Sequence, residues 1–209
     1  MTQCTGVILA GGAASRFHGA AKGLERVTGT RIIDRVANAL REATDALLLV
    51  ANDPGAHEWL PGVAVASDRL IGQGSLGGIH AALVAAGGPV IIVAWDMPFV
   101  PPTLLKALRE AAPAGDAVVP ESGSKRGLEP LCAYYSPACI TPIEKRLAAD
   151  DRRVIGFYDD IRLVRLSHEQ VARHGDPEVM FMNVNTPDEL MLAERHATTS
   201  DGRHRRQEA

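Results

Sequence analysis

Aromatic side chains are scarce in this chain of 209 residues, at 4%, and tryptophan occurs only twice. Ala, Val, Leu and Ile take their place rather than polar filler, and the hydrophobic share of 46% is that of an ordinary globular protein with a real core. Cysteine is scarce as well. Cys4, Cys132 and Cys139 are odd in number and irregularly spaced, which suits neither a disulfide framework nor a zinc site and points to a reducing compartment. An excess of positive charge is also missing: the formal net charge is -3. A protein that grips nucleic acid through a basic surface needs many Lys and Arg gathered on one face, so that class is excluded and any nucleotide bound should be a small one. No run approaches the ~18 apolar residues of a membrane span, and no basic segment precedes the first apolar run. A soluble, unexported, cytoplasmic protein without a membrane partner is expected.

What the chain does have is a repeated alternation of short Val/Ile/Leu-rich runs with amphipathic stretches. Buried parallel strands joined by crossover helices produce that pattern. The strands are expected at Thr5 to Leu9, Ala46 to Ala51, Val63 to Ser67, Val90 to Ala94, Ala117 to Pro120, Leu131 to Tyr135 and Ile161 to Leu166. Between the first two, Ile32, Ile33, Val36, Ala37 and Leu40 form one stripe at helical spacing. Leu76 to Ala86, Pro102 to Ala112 and Pro137 to Ala149 read as further helices, and Pro187 to His196 follows Thr186 as N-cap. The expected fold is α/β: one three-layer α/β/α domain over residues 1–197, with a Rossmann-like, mostly parallel sheet. Residues 198–209 lack apolar periodicity and read as a disordered tail. Ligands of such a sheet lie at the carboxyl ends of its strands, so the site should gather loops beginning near residues 10, 52, 68 and 95.

Three constellations fall on that edge. The first strand runs into Leu9-Ala10-Gly11-Gly12-Ala13-Ala14-Ser15-Arg16-Phe17, followed by Gly19 and Lys22. Small residues let backbone amides approach a polyphosphate, and Arg16 and Lys22 supply positive charge. A bare Gly-Gly pair would mark only a tight turn, and the segment is neither a P-loop nor a G-x-G-x-x-G fingerprint. The strand Val90 to Ala94 delivers Asp96 to the same edge. There the carboxylate suits Mg2+, which takes one or two protein carboxylates and completes its shell with water and phosphate, although a lone Asp also serves as a turn former. Asp68 is a second acid at that edge. Between them, Gly72-Gln73-Gly74-Ser75-Leu76-Gly77-Gly78 opens a helix whose amides could face an anion, or forms a flexible connector.

Together these residues resemble the molybdenum cofactor guanylyltransferase family, within the glycosyltransferase-A-like (nucleotide-diphospho-sugar transferase-like) nucleotidyltransferases. The resemblance is carried by Leu9-Ala10-Gly11-Gly12, Ser15-Arg16-Phe17, Lys22-Gly23-Leu24, Asp68, Gly74 to Gly78 and Asp96-Met97-Pro98-Phe99. It extends through Glu129 to Tyr135, Arg152-Arg153-Val154 and Phe181-Met182-Asn183-Val184-Asn185-Thr186-Pro187. The chain departs from the pattern at Phe17-His18, at Ala21, at Val50 and at Ala94-Trp95.

The resemblance implies transfer of GMP from GTP onto Mo-molybdopterin, with release of pyrophosphate, use of Mg2+, and transient contact with proteins that make or accept the molybdenum cofactor. It places Leu9, Ala10, Gly11, Gly12, Asn52 and Asp68 along the nucleotide, Lys22 and Arg16 on its phosphates and Asp96 on the metal. Gly19, Gly74, Gly78, Arg153, Asn183 and Asn185 would face the acceptor, with Arg152 an equal candidate to Arg153. The N-terminal half would then hold GTP and the C-terminal half the acceptor. Asn183 and Asn185, two apart on an extended segment, would point the same way, unless Asn185 caps the helix that follows. A cytidylyltransferase acting on molybdopterin or an isoprenoid precursor would share the phosphate machinery. A dinucleotide-binding oxidoreductase would want an ordered G-x-G-x-x-G. A non-catalytic nucleotide-binding module would release no pyrophosphate.

Overall fold

The computed structural model describes residues 3–11, 22–67, 72–124 and 127–207. Strand β1 (Thr5–Ala10) sits in the middle, paired in parallel with β4 (Ala46–Ala51) and β6 (Val90–Ala94). Beyond β4 lies β5 (Ala64–Ala66), also parallel. On the other side β6 is followed by β8 (Cys132–Tyr135), then β7 (Ala117–Pro120) and β9 (Leu163–Leu166). In this order of seven strands, β8 alone runs against its neighbours. That reversal brings the residues preceding β8 to the carboxyl edge of β6, where Ala94 N donates to Leu131 O at 2.8 Å.

Side chains of β1 alternate between two cores. Ile8 and Ala10 pack beneath α1 (Ile32–Ala43) and α3 (Pro102–Ala111), with Ile33, Val36, Leu40, Leu104, Leu105 and Leu108. Val7 and Leu9 face α2 (Gly74–Ala86) and α4 (Ile140–Ala148), with Leu76, Ile79, Leu83 and Ile143. Each such aliphatic side chain, once fully buried, contributes about 1.5–3 kcal/mol. Burial on both faces explains why β1 and β6 read as continuous apolar runs.

A small hairpin, β2 (Arg26–Val27) and β3 (Thr30–Arg31), precedes α1. It is too short for a period-two pattern to announce it. Two short helices, α5 (His168–Ala172) and α6 (Pro177–Met180), follow β9, and α7 (Pro187–Gln207) closes the chain. A third apolar cluster, Val27, Ile32, Val184, Ala193 and Ala197, ties the hairpin to α7. The helix continues through 198–207, where the sequence suggests a structureless tail. Ala193 and Ala197 anchor the preceding turns, and a helix already nucleated propagates at little further cost. The Thr198 and Thr199 hydroxyls donate to the carbonyls of Glu194 and Arg195 at 2.8 and 2.9 Å. The stretch between α4 and β9 also holds a 3₁₀ segment, Val154–Asp160, that buries Phe157 and Tyr158. Among the described residues no helix is long and apolar enough to cross a membrane.

Candidate active site

The two central parallel strands, β1 and β6, end side by side. Trp95 N donates to Leu9 O at 3.2 Å, and the chain then turns through Asp96. Leu9 and Ala10 are buried in opposite cores, so only their backbone reaches the edge, while Gly11 is exposed. Asp96 is the one charged residue buried among those described, at 6% exposure. A carboxylate so placed is costly unless it is paired. Lys22 supplies the pair: its Nζ lies 2.5 Å from Asp96 Oδ2 and 2.6 Å from Asn185 Oδ1. One ammonium therefore bridges a carboxylate oxygen and an amide oxygen drawn from three separate parts of the chain.

Each member is held from behind. Lys22 opens a 3₁₀ turn, Lys22–Leu24, closed by Glu25 N donating to Lys22 O at 3.2 Å and anchored where Ile32 N donates to Glu25 O at 2.9 Å. Asn185 arrives because Val184 N donates to Asp96 O at 2.9 Å while Val184 itself is buried against the hairpin. Its position is reinforced where α7 starts: Glu189 N donates to Thr186 Oγ1 at 3.2 Å, and Asn185 N donates to Glu189 Oε2 at 2.7 Å. Thr186 thus caps the helix, as its position in the sequence suggests, and the Asn185 side chain is left for the site. Asn183 does not join it. Its Nδ2 donates to Phe181 O at 3.1 Å, because the segment leaving α6 is irregular and two positions apart no longer means the same direction.

The glycine-rich turn forms the next part of the edge. Gly74 has φ +63, a left-handed value open to glycine, at the first residue of α2. Gly78 serves packing: a Cβ there would lie 2.6 Å from Leu9 Cδ1, so any larger residue would have to push the buried Leu9 side chain aside. Of the two neighbouring arginines, Arg152 reaches the turn, with Nη1 3.0 Å from Gly72 O and Nη2 2.8 Å from Asp150 Oδ1. Arg153 instead clasps Asp151 through two 2.8 Å bonds, which hold that carboxyl down at about 2. Asn52 follows β4 at the same edge and is exposed. Gly12, Arg16, Gly19 and Asp68 lie outside the described residues.

Two features escape a reading of the sequence. Asn185 meets Lys22 across 163 positions, and no local pattern pairs them. The two tryptophans, Trp59 and Trp95, stack with centroids 5.1 Å apart, and Trp95 also lies against Gly23 beside Lys22. Its place directly before Asp96 was the available signal.

A mostly parallel sheet gathers a lysine, a buried carboxylate and an amide oxygen at its carboxyl edge, beside a glycine-rich turn, which makes that edge the candidate active site of a nucleotidyltransferase. The chain belongs to the MobA-like NTP transferase domain family, which it matches over residues 6–170. It is 40% identical to a probable molybdenum cofactor guanylyltransferase of Pelotomaculum thermopropionicum, over 96% of both chains. It is 39% identical to the molybdenum cofactor guanylyltransferase of Desulfosudis oleivorans, covering 93% of this chain and 96% of that one. Among solved structures it resembles molybdopterin-guanine dinucleotide biosynthesis protein A of Archaeoglobus fulgidus, with a TM-score of 0.78 at 28% identity, covering 93% and 99% of the two chains.

Proposed function

We propose that this protein transfers GMP from GTP to Mo-molybdopterin in the cytoplasm, forming the molybdopterin guanine dinucleotide cofactor and pyrophosphate. The observation that carries the reading is the convergence of Asp96 Oδ2 and Asn185 Oδ1 on the Lys22 ammonium, at the edge where a sheet of this kind binds ligands. Those oxygens also test the fit of Mg2+. Both are hard donors, and they already share one cation, the ammonium. Among the described residues no three His, Cys, Asp or Glu cluster as a metal cage, but a metal carried in with a triphosphate needs only one or two protein ligands. Asp96 and Asn185 would hold Mg2+, which when bound draws negative charge from the phosphate oxygens.

The acceptor's terminal phosphate is anionic near neutral pH, so no general base is required. Its oxygen forms a bond to the α-phosphorus of GTP. The bond from that phosphorus to the α,β-bridging oxygen breaks, and its electron pair leaves with pyrophosphate. Lys22 supplies positive charge to the phosphates, and the amides opening α2 face the same edge. Asn185 places the C-terminal segment against the phosphate machinery, and Arg152 ties the glycine turn to the segment after α4.

The test is incubation with Mg2+, molybdopterin and each of the four NTPs, followed by mass analysis of the product. A guanylyl adduct and pyrophosphate with GTP are expected. A cytidylyl adduct would overturn the assignment of the base, and absence of pyrophosphate with every NTP would overturn the assignment as an enzyme acting on this acceptor.

A further inference from the structure

We propose that Trp95 is a positioning residue that sets where the Lys22 ammonium stands, an inference that rests on the phosphate role of Lys22 given above. Trp95 is 5% exposed and packs at 21° to the Trp59 ring. The same indole supports Gly23: a Cβ built there would fall 2.4 Å from Trp95 Cε3 and 2.7 Å from Cδ2, closer than real side chains approach. The Gly23 backbone therefore lies directly on the ring. Lys22 is the residue before Gly23, and Asp96 is the residue after Trp95, so one indole is linked to both ends of the 2.5 Å ion pair. It bears on Asp96 through the chain and on Lys22 through its contact with Gly23.

The ring has no polar anchor among the described residues, since its buried Nε1 has no hydrogen-bond partner there. Among the described residues its orientation rests on flat packing, against Trp59 and beneath Gly23. A smaller or non-planar side chain would keep the apolar character of the core but lose the surface on which Gly23 sits. The Lys22 ammonium would then be displaced from its contacts with Asp96 Oδ2 and Asn185 Oδ1. Misplacement of a charge-bearing group by about 1 Å costs on the order of 100-fold in rate.

A double-mutant cycle separates positioning from plain core packing. Trp95→Leu is expected to lower kcat by about 10- to 100-fold, whereas Trp95→Phe, which keeps a flat ring, should retain most of the activity. In a Lys22→Ala background the Leu substitution should change kcat by less than about 2-fold, because two residues acting through one group are not additive. Pyrophosphate release from GTP, Mg2+ and molybdopterin gives the rates, and thermal unfolding confirms that each variant folds. If Trp95→Leu multiplies the Lys22→Ala loss by its full single-mutant factor, Trp95 acts on the fold and the proposal fails. If Lys22→Ala alone is as active as the parent, the phosphate reading falls and takes this proposal with it. Should Trp95→Leu not fold, Gly23→Ala strains the same contact from the other side and carries the same cycle, with the same two outcomes.

Discussion

Asp96 stays buried because Lys22 meets it, and the pair is a catalytic asset only if the cation can also serve the phosphates. Asp96→Asn keeps the shape and removes the charge, so it should fold normally and lose most turnover, about 100-fold or more. Near-parental pyrophosphate release at limiting Mg2+ would contradict the assignment. Lys22→Ala should lower kcat as well as raise KM; a change in KM alone would make Lys22 a uniform binder. The cysteines behave differently from these charged groups. All three are free and buried, and burial pushes Cys4 up to about 11 and Cys139 up to about 12. An unfolded thiol titrates near ~8.5, so above that pH the unfolded chain gives up its protons first. The stability these thiols contribute is fully present below that value and is lost as pH rises through about 11 to 12. Urea midpoints measured from pH 8 upward should therefore fall, and a chromogenic disulfide reagent at pH 8 should leave the folded chain unmodified. Rapid labelling before unfolding would show the thiols to be accessible.

At the scale of elements, the glycine-rich turn divides into two jobs. Gly74 allows the left-handed start of α2, while Gly78 lets that helix lie on β1 against Leu9. The family resemblance places Gly78 toward the acceptor, but its buried position makes a packing role the stronger expectation. Gly78→Ala should destabilise the fold by about 1–3 kcal/mol through overpacking, seen as a lower Tm, with KM for the acceptor nearly unchanged below the transition. A large rise in that KM at unaltered Tm would return Gly78 to the acceptor surface. The junction of Val184, Asn185 and Thr186 shows a comparable economy: backbone bonds and one helix cap hold Asn185 without using its side-chain amide.

Across the whole molecule, the division into a GTP half and an acceptor half meets an obstacle in Asn185. This residue comes from the end of the chain yet faces Lys22 and Asp96. Asn185→Ala is accordingly expected to weaken Mg2+-GTP binding by roughly 10-fold, the size of one lost charge-assisted contact, while Asn183→Ala leaves it unchanged. The two tryptophans stack on each other and Trp95 lies against Gly23, so intrinsic fluorescence is a convenient titration signal. Unaltered nucleotide affinity with weakened acceptor binding in Asn185→Ala would restore the simpler division.

Much of the layout is legible without coordinates. The strands Ala46–Ala51, Val90–Ala94 and Ala117–Pro120 coincide with their apolar runs, and the stripe of α1 faces the core as its spacing requires, because burial on one or both faces writes a period into the chain itself. Lys22, Gly74 and Asp96 are also visible, since each stands where a strand or turn delivers it to the carboxyl edge. The hairpin of β2 and β3, the continuation of α7 and the reversed direction of β8 are not, because two-residue strands carry no period and strand direction leaves none. The meeting of Lys22 with Asn185, the floor that Trp95 makes under Gly23, and the choice of Arg152 over Arg153 at the glycine turn were decided only by tertiary structure. Periodicity records which way a side chain faces its own element, whereas partners 163 residues apart are selected by how finished elements pack, and that information belongs to no single segment.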